Sequence, residues 1–267
     1  MDLLRVVTLN LWNDRERPAR RLEVIAEGLR ELGPDLVCLQ EVREGSLISQ
    51  GSSLGRMLGM FFAFGLVDSQ SAGGPMGNGV LSRYPIQSAE NLPLPSAPDD
   101  PRFALKVTVR TDAGPVLMTS VHLSWEPHLA QRRERQVLSL DEITRAPWDA
   151  HVIVAGDLNS APESRAVRFL CGLDSIDERG TYFRDAWARR HPHEDGFTWS
   201  SRNPYAVRRI ELNRRIDYIL VRGPVTEREA HTIEGAKVVL DSPAADGTWP
   251  SDHFGVLAVV RLNGPPP

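Results

Sequence analysis

Short apolar runs in this chain each carry an ionisable or amide residue at one end. Residues 6–9 precede Asn10, 36–39 precede Glu41, 116–121 precede His122, and 152–155 precede Asp157. In two later runs the order reverses: Asp217 comes before 218–221, and Asp252-His253 come before 256–260. Apolar runs this short, rich in Val, Ile and Leu, read as strands. Strands running up to a rim end there, and strands running down begin there. One rim of a stacked, mixed sheet would therefore collect carboxylates, imidazoles and carboxamides. That inventory suits a hard cation and acid–base work.

The rest of the chain supplies covering layers. Pro18 opens a helix in which Leu22, Ile25, Leu29 and Leu32 recur at helical spacing, and Gly33-Pro34 stops it. The run 36–39 shows no alternation, as expected for a strand covered on both faces. Residues 43–60 read as loop and weak helix, followed by short strands near 61–66 and 78–82. Residues 91–101 hold four prolines and are expected to be loop. Strands near 103–110 and 115–121 flank a hairpin at Asp112-Ala113-Gly114. A helix is expected over 128–145, with Leu129, Val137, Leu140 and Ile143 inward, QRRER on the wet side and Pro147 ending it. A strand at 151–156, helices at 163–170 and 185–190, and strands at 216–222 and 255–262 complete the pattern. The segment between the last two strands has no clear period. No linker divides the chain, so one domain over 1–263 is expected, with 264–267 as a disordered tail.

Composition narrows the function classes. A chain of 267 residues with 41% hydrophobic and 25% charged content is an ordinary globular one. The net charge of −4 provides no global basic field for nucleic acid. Cys38 lies inside an apolar run and reads as a small buried hydrophobe, so Cys38 and Cys171 do not suggest a disulfide framework. No stretch approaches the roughly 20 apolar residues of a membrane span, and MDLLRVV merges into a strand rather than a leader. A cytoplasmic monomer is the expectation. Clusters with zinc spacing are absent.

Taken singly, the polar residues have ordinary explanations. Asp157 and Asn159 in Gly-Asp-Leu-Asn suit an Asx turn. Asp252-His253 could be a surface pair, and Asp217 could pair with Arg214 or Arg215. Arg102 heads a strand and could meet a phosphate or orient Glu41; Asn78, between glycines, could line a cleft or merely turn the chain. Trp125, Trp199 and Trp249 could stack on a base or a lipid headgroup, or simply pack.

The ordered set is more specific than its parts. TLN, LQEV, GNGVLSRYP, SVHLS, GDLNS, FTW, RIDYIL and SDHFG follow one another across nearly the whole chain. Together they resemble the endonuclease/exonuclease/phosphatase superfamily, small bacterial type. The resemblance implies a DNase I-like α/β fold: a four-layer sandwich with two packed mixed β-sheets and the site at one rim. It also implies a Mg²⁺ cofactor, with Mn²⁺ as a substitute. Glu41 would be the main metal ligand, with Asn10 nearby and Asp252 helping directly or through water. His253 would be the general base, oriented by Asp217. Asp157 and Asn159 would position water and phosphate, and His122 would bind the phosphate or protonate the leaving oxygen. Arg102 and Asn78 would be substrate-binding.

Departures from subfamilies limit the substrate. Apurinic endonucleases carry an acidic residue where this chain has Trp12, and a tyrosine where it has His122. The inositol 5-phosphatase continuation of GDLN is replaced by Ser160-Ala161. GDLNSAPES instead resembles the deadenylase-like branch and small bacterial members. The expected activity is phosphodiester hydrolysis of nucleic acid or nucleotides. The alternative is a small-molecule or lipid-headgroup phosphoesterase, sphingomyelinase-like or acting on sugar or inositol phosphates. A non-catalytic binding module is disfavoured, because the full residue set is present.

Overall fold

The computed structural model describes residues 2–13, 16–45, 49–69, 74–146, 150–207, 213–223 and 231–262. In chain order the elements are β1 (Asp2–Asn10), α1 (Pro18–Leu32), β2 (Leu36–Arg43), α2 (Gln50–Leu58), β3 (Phe61–Asp68), β4 (Met76–Ser82), β5 (Ile86–Ala97), β6 (Asp100–Thr111) and β7 (Gly114–His122). They continue with α3 (Ala130–Ile143), β8 (His151–Asp157), α4 (Arg165–Leu170), β9 (Phe183–Asp185), α5 (Ala186–Arg190), α6 (Pro204–Val207), β10 (Asp217–Arg222), β11 (His231–Val239) and β12 (Gly255–Leu262).

Among the described residues two six-stranded sheets form, ordered β11-β12-β1-β2-β4-β3 and β5-β6-β7-β8-β10-β9. Each is mixed. β1 and β2 run parallel in the first, β7 and β8 in the second, and the remaining pairs are antiparallel. Alternation along each strand sends one set of side chains between the sheets and the other toward the helices. Leu4, Val6, Leu36, Cys38, Met118, Ile153, Ile219 and Ala258 fill the middle. Val7, Leu9, Val37 and Leu39 face Ile25 and Leu29 of α1 and Leu54 of α2. Val121, Val152, Val154 and Leu220 face Val137 and Leu140 of α3 and Phe169 of α4. This is the four-layer, DNase I-like architecture. Each fully buried Val, Leu or Ile contributes about 1.5–3 kcal/mol through removal from water.

Several expectations need correction. Residues 91–97 are not loop. They belong to β5, which pairs with β6 from Ile86 to Ala97. β5 is an edge strand, the place where Pro93 and Pro95 can sit in a sheet without a ladder hydrogen bond to lose on the open side. Only the turn after it is loop. The QRRER face is not uniformly wet either: Arg133 is 7% exposed. α2 is a helix with Leu54 fully buried, firmer than the weak helix expected there. The unassigned segment before β12 contains β11, and a three-residue strand, β9, precedes α5. Pro147 and the tail 264–267 lie outside the described residues.

Candidate active site

Parallel pairing brings strand ends to one rim. Asn10 ends β1 beside Gln40 of β2, and His122 ends β7 beside Asp157, the last residue of β8. Asp217 begins the antiparallel β10, also opposite Asp157. Asp252 and His253 lie just before β12, which runs antiparallel to β1.

Two local distortions aim the side chains. Glu41 has φ +55°, and the register between β2 and β4 shifts between Leu39 and Val42. This bulge leaves Glu41 half-buried at the rim while Leu39 and Val42 stay in the core. A non-glycine residue in the left-handed region costs roughly 1 kcal/mol or more, a cost borne elsewhere by the fold. After β8, Asn159 has φ +47°, and its N–H donates to Asp157 Oδ1 at 2.8 Å. Gly156, with φ +152°, is required there: a Cβ would stand 1.9 Å from the Val121 carbonyl oxygen.

The polar groups form one connected network. His253 Nδ1 lies 2.9 Å from Asp217 Oδ2. His122 Nε2 and His253 Nε2 lie 3.4 and 3.9 Å from Asp157 Oδ2. The Asn10 amide Nδ2 donates to that same oxygen at 3.2 Å and to Glu41 Oε1 at 3.3 Å. Asn10 Oδ1 is taken by the Trp12 N–H at 2.9 Å, so Asn10 offers the carboxylates its donor, not its oxygen. Glu41 Oε2 also accepts the Asn13 N–H at 2.8 Å.

The network borders a cleft of about 420 Å³, within the roughly 300–1,000 Å³ of small-molecule sites. Glu41, His122, Asp157, Asn159, Asp252 and His253 line it, together with Asn78 and Arg102. Asn10 and Asp217 sit behind this wall, each 1% exposed. All ten residues singled out in the sequence therefore gather at one rim. Arg102 does so with a partner of its own: its Nε and Nη2 both donate to Asp100 Oδ1. Asn78 Nδ2 donates to the Phe103 carbonyl. Arg215 pairs with Asp185, not with Asp217. Trp199 meets the His253 ring edge-on at 4.9 Å, Trp249 stacks near Phe254, and Trp125 is exposed.

Burial and neighbouring charge set the protonation states. Burial raises the Asp157 pKa, the Asp217 carboxylate adds to the rise, and it reaches about 7 against the opposing pull of His253. Burial alone would lower His253; Asp217, through charge and hydrogen bond, with Asp252 and Asp157, outweighs it and lifts the pKa to about 10. His122 goes the other way. Burial, the Arg102 charge and His253 hold it well below the ordinary range, so it is neutral.

The donor set fits a divalent cation. Ligand atoms of Asp157, Asp217 and His253 all lie within 4.8 Å of one another. Asp217 Oδ1 is buried with no hydrogen-bond partner among the described residues. Asp157 resists ionisation because it is buried and because a second carboxylate stands beside it. Such a surplus of buried carboxylate oxygen is relieved by positive charge.

Supporting residues escaped the sequence reading. Arg21, 1% exposed on α1, donates to the Leu11 and Trp12 carbonyls and so holds the turn after Asn10. Ser251 Oγ donates to the Asn10 carbonyl at 2.6 Å, and Thr198 Oγ1 accepts the Ile216 and Asp217 N–H groups. Ser251 and Thr198 stand within the SDHFG and FTW motifs, a signal that could have found them. Arg21 stands four residues before Ile25 and eight before Leu29, on the inward stripe of α1, and that spacing was its signal.

A sequence profile of the Endonuclease/Exonuclease/phosphatase family matches residues 7–253, which contain every one of these groups. The chain belongs to that family. Its members are hydrolases of phosphoric esters. Among curated relatives the chain is similar to human tyrosyl-DNA phosphodiesterase 2, at 28% identity over 94% of this chain and 67% of that one. It is also similar to the uncharacterized Escherichia coli protein YbhP, at 28% identity over 66% of this chain and 75% of the other. Among solved structures, D. rerio TDP2 complexed with single strand DNA product superposes at TM-score 0.78 with 23% identity, covering 98% and 100% of the two chains. A family protein from Beutenbergia cavernae superposes at 0.73 with 24% identity, covering 98% and 72%. No helix among the described residues is long and apolar enough to cross a membrane.

Proposed function

We propose that this protein is a Mg²⁺-dependent phosphodiesterase, with Mn²⁺ as a substitute, that hydrolyses a phosphodiester of nucleic acid or nucleotides. The observation that carries this reading is the 2.9 Å contact between His253 Nδ1 and Asp217, beside a cleft that also presents Glu41, Asp157 and His122. The choice of nucleic acid is supported by the names of relatives: a tyrosyl-DNA phosphodiesterase, and its D. rerio counterpart with a DNA product.

Glu41 and Asp252 would hold the cation, and Asn10 fixes the Glu41 carboxylate through its amide. Bound there, a divalent ion would supply positive charge that neutralises the phosphate and favours the neutral form of His253. His253 takes the proton of the attacking water at Nε2, because Nδ1 is occupied by Asp217. Asp217 holds the ring in that orientation and stabilises the imidazolium that forms. Asp157 and Asn159, locked together by the Asx turn, position water and phosphate. His122, kept neutral, donates a hydrogen bond to the phosphate or the leaving oxygen without adding charge. Arg102 turns Nε and Nη2 to Asp100, which aligns the rest of its guanidinium along the cleft wall.

A substrate panel with Mg²⁺ or Mn²⁺ tests this: single- and double-stranded DNA, RNA, bis-4-nitrophenyl phosphate, 4-nitrophenyl phosphate and sphingomyelin. The reading expects cleavage of nucleic acid or the diester, abolished by EDTA. Turnover confined to the monoester or to sphingomyelin would replace it with the small-molecule or lipid-headgroup alternative.

A further inference from the structure

The loop after His122 displays an exposed tryptophan on a tightly held backbone. Trp125 is 52% exposed. Among the large exposed apolar side chains of the described residues, it is the one that lines the cleft. The backbone on both sides of it is pinned. Arg133 of α3 is buried, and its guanidinium donates to the carbonyls of Ser124 at 2.9 Å, Glu126 at 2.8 Å and Pro127 at 3.2 Å. The Ser124 N–H donates to Gln136 Oε1 at 3.1 Å, and its hydroxyl donates to Asp100 Oδ2 at 2.8 Å while accepting from Gln136 Nε2.

Burying a guanidinium against carbonyls is costly: among the described residues no carboxylate pairs with it, and only the more distant Asp157 charge offsets part of the lost hydration. All three Arg133 acceptors flank Trp125 or lie one residue beyond. The fold thus spends a buried cation on the shape of one loop, and the side chain on that loop packs little against the protein. Trp199, by contrast, is 6% exposed and packed on His253. A flat, rigid indole whose ordering cost is already met gains affinity for a planar ligand group. Asp100, Arg102 and Asn159 line the same cleft, and an acyl chain laid there would leave these polar groups without partners.

We infer that Trp125 is a stacking platform for a nucleobase next to the scissile phosphate, and that Arg133 is the residue that positions it. This rests on the proposed reading that the phosphate lies against His122 and Asp157. Stacking tolerates any base, so it favours nucleotides over other diesters without reading sequence.

Two esters with one leaving group separate the base from the chemistry: thymidine 5′-(4-nitrophenyl phosphate) and methyl 4-nitrophenyl phosphate. In Trp125→Ala the preference for the thymidine ester, as a ratio of kcat/KM values, should fall about tenfold or more, through KM. Trp125→Phe should keep most of that preference. Arg133→Gln should lose it in part, with the same KM signature. An unchanged ratio in Trp125→Ala overturns the inference. Titration of thymidine 5′-monophosphate against methyl phosphate decides it independently of turnover. Wild type should bind the nucleotide more tightly and Trp125→Ala should lose that margin; equal affinities in wild type overturn it. If wild type cleaves neither ester with Mg²⁺ or Mn²⁺, the hydrolytic reading falls, and the titration still decides the platform.

Discussion

The 2.9 Å contact between His253 and Asp217 joins the two sheets. Asp217 begins β10 of one sheet, and His253 lies two residues before β12 of the other. The pair is therefore held by the packing of both halves. It also makes the site a proton reservoir. His253 has a folded pKa near 10, above its ordinary 6.5, so the stability it contributes is full below 6.5 and lost as pH rises through 10. Asp157, at about 7 instead of 3.8, likewise favours the fold below 3.8 and loses that contribution as pH rises through 7. A cation competes with both protons. The increase in melting temperature on adding Mg²⁺ should therefore be larger at pH 8.5 than at pH 6. A larger increase at pH 6 would contradict these assignments.

Glu41 is expected to matter through the metal. Glu41→Gln keeps the size and the Asn13 N–H acceptor but removes the charge. Metal titration followed by activity should show a weaker apparent affinity and little turnover at low Mg²⁺. An unchanged titration curve would mean that Glu41 is not a ligand.

His122→Ala should slow diester cleavage by about 10²- to 10⁴-fold, the usual scale for one acid–base or charge-stabilising group. Comparing leaving groups then distinguishes its roles. A loss confined to poor leaving groups marks an acid; an equal loss on nitrophenyl esters marks a phosphate clamp. Normal turnover on both would remove His122 from the chemistry.

Gly156→Ala tests the backbone beneath the site. The added methyl would meet the Val121 carbonyl at 1.9 Å, with φ at +152°. Chemical denaturation should show a loss above about 1 kcal/mol, since both strain and clash oppose the change. A neutral effect would show that β7 and β8 can separate without cost.

Much of this fold was readable before any coordinates, for definite reasons. Asn10, His122, Asp157 and Asp217 could be placed at one rim because apolar runs mark strands and their polar ends mark the edge. α1 followed from its period. β5 was hidden by Pro93 and Pro95, since whether a proline strand is tolerable depends on its being at an edge, a tertiary property. β11 was hidden by a bulge between Ile233 and Gly235 that breaks its alternation. The left-handed turn at Glu41 belongs to another bulge and has no local sequence signal. Arg133 looked like a solvent-facing helix residue because the charged QRRER run gives no sign that one of its guanidiniums folds back on the carbonyls after His122.

The most direct measurement is the turnover and melting temperature of Asp217→Asn, assayed together with bis-4-nitrophenyl phosphate and Mg²⁺. The change is nearly isosteric, Thr198 still caps the Asp217 N–H, and the neighbouring Arg215 is already paired with Asp185. The account predicts a fold that melts within a few degrees of wild type and a rate reduced by about 10²- to 10⁴-fold. A large fall in melting temperature with near-normal turnover would contradict it, and His253 would then no longer stand as the base.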